Sequence, residues 1–255
     1  MRNVDPGITL PDITLIGPPM APPVELQRWL MALHGVPHRF EPRAAGLHAL
    51  QQRRLNMPVE LPLLLTLEGP VGGLRPSIAW LDARLQRAGG TLFPDAGDAA
   101  WVEALMTPLF PAGVKSFYAP MLEAPDVLGP KASSNVPMLD RLVVRMAFPL
   151  WRRLMRGGLK LDEFDADAAR LTIDRVFAEV AAELGDRAFL HGTVPGIRDI
   201  VFAVMASPVI LPAGHPADLP AVADLPGGFR ALVQHCRAHP AGKLAQRVYG
   251  TRGAA

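Results

Sequence analysis

The sequence predicts a two-part chain, an α/β unit of βαβ-ββα order followed by an all-helical unit. Three observations carry that expectation. Short apolar runs between Ile13 and Arg75 are separated by one helix-like stretch and one irregular connection, the texture turns to Gly, Pro and Asp from Thr91 to Asp98, and beyond it apolar residues recur at helical spacing. The 255 residues, 49% hydrophobic, supply ample material for a buried core.

Ile13 to Ile16 is a short, partly β-branched run closed by Gly17, Pro18 and Pro19, which reads as a buried strand ending in a sharp loop. From Pro23, Val24, Trp29, Leu30 and Leu33 follow helical spacing until Gly35 and Pro37 stop the element. His38 to Glu41 suits a second strand, and two strands joined by such a helix predict a parallel pair. Arg43 to Leu55 reads as a short helix with an irregular connection. Leu61 to Leu67 is a continuous apolar strand, Glu68 to Gly73 supplies turn residues, a short strand follows to about Arg75, and a helix starts near Ser77 and stops before Gly89. Past the linker the helices expected are Ala99–Met106, Phe110–Leu122, Leu139–Met155, Asp165–Leu184, Pro195–Ser207 and Phe229–Ala238, with a proline-rich loop from Pro208 to Pro226. The domains fall at residues 8–90 and 98–250.

Twenty-six Lys plus Arg stand against 24 Asp plus Glu, so a net charge of +2 gives no reason to expect a nucleic-acid partner. Cys236 is the only cysteine, which excludes an internal disulfide and any Cys-x-x-Cys redox or zinc motif. Met1 to Pro11 has neither a basic nor an apolar segment of a signal peptide, and no apolar run approaches the ~20 residues that span a bilayer. A cytoplasmic protein with no membrane partner is expected.

Three stretches sharpen the fold. Asn56-Met57-Pro58-Val59-Glu60-Leu61-Pro62-Leu63-Leu64, Pro76-Ser77-Ile78-Ala79-Trp80, and Phe189-Leu190-His191-Gly192 with Pro195-Gly196-Ile197-Arg198-Asp199-Ile200 occur in that order. They resemble the Asn-Pro-x-Gly-Lys-Val-Pro-x-Leu, Glu-Ser-x-x-Ile and Phe-Leu-x-Gly…Pro-[Ser/Thr]-x-Ala-Asp-Ile segments of glutathione transferases, over about Ile13 to Ser207. The resemblance implies a thioredoxin-like N-terminal domain, an all-α C-terminal domain, glutathione as co-substrate and a homodimer. It makes Pro62 the cis-proline, gives Leu61 main-chain groups that pair with the tripeptide, places Pro76 and Ser77 at the γ-glutamyl end, and gives Asp199 a structural, helix-capping role.

Glutathione transfer needs the thiolate, since a cysteine-like sulfur near pKa ~8.5 is mostly protonated at neutral pH. The family's hydroxyl or thiol at the first helix is Ala21 here, in Ala21-Pro22-Pro23-Val24-Glu25, and its Lys facing the glycine carboxylate is Glu60. No catalytic residue is therefore assigned, and Tyr118 is the candidate substitute hydroxyl. Met20, Phe110, Phe117, Tyr118 and Met121, with Trp151, are the candidates for an apolar substrate site, although Phe110 and Trp151 suit plain core as well. Cys236 reads as packed, no metal site is expected from His34, His38 and His48, Ser133-Ser134-Asn135 supports no triad, and Arg152, Arg153 and Arg156 form a basic helical face. Two functions remain open: a transferase-type enzyme joining glutathione to an apolar electrophile, and a non-catalytic protein that holds an apolar ligand or serves as a scaffold.

Overall fold

The computed structural model describes residues 12–252; the readings made of Met1–Pro11 and of the first residues of the 8–90 domain lie outside them. Four strands, β1 (Thr14–Gly17), β2 (Arg39–Pro42), β3 (Leu63–Thr66) and β4 (Gly69–Gly72), form one sheet in the order β2-β1-β3-β4. β1 runs parallel to β2, with Thr14 opposite Arg39, and antiparallel to β3, with Ile16 opposite Leu63. The central strands are the apolar ones, Leu15, Ile16, Leu63 and Leu64 being almost wholly buried. β4 contains Pro70, tolerable because it is an edge strand that needs no donor on its open side.

Helix α1 (Pro22–Leu33) connects β1 to β2, α2 (Ala49–Arg54) lies before β3, and α3 (Leu74–Arg87) follows β4. Helix α3 begins three residues earlier than expected. Gly73, at φ 96°, turns the chain directly from β4 into the helix, a conformation costly for any side chain.

Eight helices complete the described chain: α4 (Asp98–Met121), α5 (Pro125–Ala132), α6 (Met138–Met146), α7 (Phe148–Gly158), α8 (Ala166–Leu184), α9 (Ile197–Ile210), α10 (Gly227–Ala238) and α11 (Pro240–Thr251). The break expected between Met106 and Phe110 is absent. α4 runs through Pro108, Pro111 and Pro120, because Val102, Leu105, Leu109, Ala112 and Phe117 stay buried along it and outweigh the roughly 3 kcal/mol that an interior proline costs. The opposite happens in the stretch read as one helix over 139–155: it is divided at Ala147, since Pro149 cannot continue a helix from the turn before it. α5 and α11 were not expected; Pro125 and Pro240 start them at the first helical position.

Helix α9 is the centre. From Asp199 to Ile210 every residue is buried, the apolar-all-round pattern of a helix enclosed by others. It packs against α4, α11, α10 and α1, and Phe202 meets Phe177 of α8 edge-on at 5.3 Å. The Arg237 guanidinium donates to the carbonyls of Ile210 and Leu211 at 2.7 Å each, satisfying the end of α9. A second junction joins the sheet side to the helices: Asp140 of α6 is clasped by Arg43, and Trp151 of α7 donates to the Ala45 carbonyl at 2.8 Å.

Candidate functional site

The site expected from the sequence lies at the end of β1. There Gly17 hands over to Pro18-Pro19-Met20, and Ala21 forms the N-cap of α1 without any side-chain hydrogen bond. A helix start ordinarily offers free N–H groups to an anion. This one offers none: the Ala21 N–H donates to Pro18 (3.1 Å), Pro22 and Pro23 have no N–H, and those of Val24 and Glu25 donate to the Ala21 carbonyl at 3.0 Å. One turn in, Glu25 is wholly buried and forms an ion pair with Arg252, whose guanidinium lies 4.7 Å over the Trp29 ring. Burial brings Arg252 down to about 10, still charged at neutral pH.

Leu61 sits beside this start, its Cδ2 3.2 Å from where Gly17 would carry a Cβ. The Leu61–Pro62 bond is cis. Neither the N–H nor the C=O of Leu61 joins the β ladder or any described loop bond, whereas Pro62 accepts from the Gly73 N–H at 2.9 Å. An unpaired main-chain segment at a sheet end can receive an extended peptide as an added strand.

Glu60 is solvent-exposed and its carboxylate overhangs Gly73, the start of α3, within the field of Arg75. A negative charge is favoured there by the helix dipole, and the chain's own carboxylate takes that place. Ser77 is not at this helix start. It is wholly buried one turn inside α3, its hydroxyl donating back to the Gly73 carbonyl, and Pro76 stands exposed on the first turn. The N-cap of the helix is Gly73, so no polar side chain caps its start, and the Ser77 hydroxyl is spent on the Gly73 carbonyl.

An apolar crevice opens between the α1 start and the helices. Met20 and Pro22 face Val114, Phe117 and Tyr118 of α4, with Ser207, Pro208 and Leu211 at the end of α9 and Leu219 closing the rim. Its volume is about 20 Å³, room for a single water. Three of the five predicted substrate-site residues, Met20, Phe117 and Tyr118, therefore meet. Met121 does not: it is fully buried core, and Phe110 packs against the core away from the crevice lining. Trp151 is core too. Burial pushes the Tyr118 phenol up to about 12, so it remains a hydrogen-bond donor at neutral pH.

Asp199 caps α9. Its Oδ2 accepts from the Gly196 N–H (2.9 Å) and its Oδ1 from the Leu190 N–H (2.8 Å), so one carboxylate ties the helix start to the preceding turn. Gly196 occupies the position of the family hydroxyl because the His191 ring lies where a Cβ would be.

A polar cluster escaped the sequence reading. His191 Nδ1 is 3.0 Å from Asp95, buried Asp98 receives Arg198 Nε at 2.6 Å, and Arg198 Nη1 reaches Glu183 at 2.8 Å. Asp95, Asp98 and His191 bring ligand-type atoms within 4.8 Å of one another, but the guanidinium already neutralises Asp98, and the group works as an ionic tie between the linker and α9. Only spatial proximity reveals it, since its members are scattered from 95 to 198. Cys236 is buried and its thiol is pushed up to about 12, which leaves it unreactive.

No family model matches the sequence and no curated protein does. Solved structures do. A glutathione transferase from Phanerochaete chrysosporium superposes with TM-score 0.57 at 13% identity, over 96% of this chain and 98% of that one. A glutathione S-transferase of Ceriporiopsis subvermispora in complex with glutathione gives 0.57 at 15%, covering 94% and 97%. The chain has the glutathione transferase fold. Poplar glutathione transferase F1, as a Ser-to-Cys mutant, agrees at 0.52 and 13% identity, over 97% of this chain and all (100%) of that one. Within this fold the β1 end, the cis-proline turn and the α4 crevice adjoin one another, while the α1 start has lost its donors.

Proposed function

We propose that this chain is a divergent glutathione-transferase-like protein that takes glutathione as co-substrate beside Leu61 and presents its sulfur to an apolar electrophile resting against the mouth of the crevice of Met20, Phe117 and Tyr118, which is itself too small to enclose one. The supporting observation is the unpaired Leu61 main chain ahead of cis-Pro62, beside Gly17 at the β1 end from which the chain runs on to Met20 of that crevice. Tyr118, held protonated, donates its hydroxyl to the thiolate after the thiol proton leaves to solvent. The thiolate attacks the electrophilic carbon and the displaced group departs as an anion. The electrostatic help that the α1 start cannot give thus comes from α4.

The second reading, a non-catalytic binding protein on the same fold, is favoured by Ala21-Pro22-Pro23, which leave no free N–H at the α1 start. Calorimetric titration with glutathione together with a conjugation assay on a chloronitrobenzene separates the two. Binding with turnover supports the enzyme, binding of an apolar ligand without any glutathione heat supports the second reading, and neither response sinks both.

The proposal extends to organisation. Residues 8–90 and 98–250 form the two domains, and the protein is cytoplasmic. It is also homodimeric, through the groove of about 450 Å³ between α3 and α4, where Ile78, Phe93, Val102 and Met106 are rimmed by Arg75, Asp82 and Glu103. Light scattering that gives the monomer mass at micromolar concentration overturns the dimer.

A further inference from the structure

Helices α6 and α7 carry an apolar face that nothing in the chain covers. Met138, Leu142 and Met146 stand four residues apart on α6, and Leu150 and Leu154 continue the spacing on α7. All five are exposed, Met138 by 75% and Met146 by 81%. Arg141, Arg145 and Arg153 are interleaved with them, exposed and without an ion-pair partner among the described residues. From Arg141 to Leu161 there are six cations, Arg141, Arg145, Arg152, Arg153, Arg156 and Lys160, and no acid. The one acid of α6, Asp140, is buried and neutralised by Arg43. A helix that meets only water mixes both charge signs and keeps large apolar side chains off that face; this face does neither.

We propose that the exposed face of α6 and α7 docks on the surface of an anionic lipid bilayer, both helices lying in its plane. The charge complementarity chooses the occupant. Met and Leu tips set among long cationic side chains match the boundary of acyl chains and anionic headgroups, where arginines snorkel to phosphates while the apolar tips insert. The underside is fixed: Val144, Trp151 and Met155 are buried, and Asp140 and Trp151 bind Arg43 and Ala45. The face is thus presented without rearrangement. At 9 and 11 residues the two helices are about 13 and 16 Å long. The expectation of no membrane partner rested on the absence of a spanning apolar run, which says nothing of an exposed helix face.

Cosedimentation of the full chain with phosphatidylcholine vesicles, with and without about one-third phosphatidylglycerol, tests it. The protein is expected to pellet with the anionic vesicles and at least about tenfold less with the neutral ones, and about 0.5 M salt releases it. Arg141→Gln/Arg145→Gln/Arg153→Gln loses about 100-fold in partitioning. Met146→Ser/Leu150→Ser also loses binding, and both variants keep the parent melting temperature because the residues are exposed. Retention in the supernatant with anionic vesicles, or partitioning unchanged in both variants, overturns the proposal. So does a shift of Met146→Ser/Leu150→Ser from dimer to monomer in light scattering, which assigns the face to a second copy.

Discussion

Arg43 and Asp140 are joined by two parallel bonds, Nε to Oδ2 at 2.8 Å and Nη2 to Oδ1 at 2.9 Å, and the Ala44 N–H adds a third to the same carboxylate. Asp140 is almost wholly buried, so these donors take the place of water around its carboxylate. Asp140→Ala leaves the Ala44 N–H and a partly buried guanidinium without an acceptor. The expected loss is about 3 kcal/mol, a melting temperature lower by about 6–12 °C in calorimetry.

Gly196→Ser, which restores the family's hydroxyl, is expected to destabilise by about 1–3 kcal/mol, because the new Cβ meets the His191 ring. With His191→Ala in the background the same serine finds room and caps α9, adding a few tenths of a kcal/mol instead of destabilising. Melting curves of the four proteins give the coupling, and additive effects refute the steric account.

His215 is buried, its Nδ1 accepting from the Ala217 N–H at 3.0 Å while its ring stacks on Tyr249. Burial takes it from 6.5 down to about 4. A base whose folded value lies below its unfolded one resists protonation only when folded. Its contribution is complete above pH 6.5 and is lost as pH falls towards 4, up to about 3 kcal/mol. His48, lowered to about 4 by burial, acts in the same window. His215→Asn should flatten the fall of melting temperature between pH 6.5 and 4, and an unchanged slope contradicts this account.

If Tyr118 supplies the donor to sulfur, Tyr118→Phe lowers the conjugation rate by about 100-fold with glutathione affinity intact. Ala21→Ser returns a hydroxyl to the α1 start and should raise the rate of the parent protein. Equal rates in Tyr118→Phe and parent remove Tyr118 from the chemistry.

The fold was largely legible because its central elements are short and strongly patterned. Leu61 to Leu67 reads as a strand on apolar content alone, and Gly35 and Gly89 mark helix ends by composition. Prolines misled in both directions. Pro108 and Pro111 suggest a break that burial against α9 overrides, while Pro149 makes a real one that the apolar periodicity of Leu139 to Met155 conceals. In the site, Ala21 and Glu60 were readable one residue at a time. The register of Ser77 depended on where α3 starts, which Gly73 decides through its backbone angle and no side-chain pattern records. Arg252, 227 positions from Glu25, was out of reach of any local reading.

The enclosure of α9 has a consequence for the order in which a ribosome releases the chain. Helix α11, which closes one side of α9, is the last of the described helices to be made, so that side of α9 stays open to chaperones until Pro240–Thr251 has emerged. Translation that stops short of Pro240 yields a product with that side of its most apolar helix uncovered, prone to clump or be degraded.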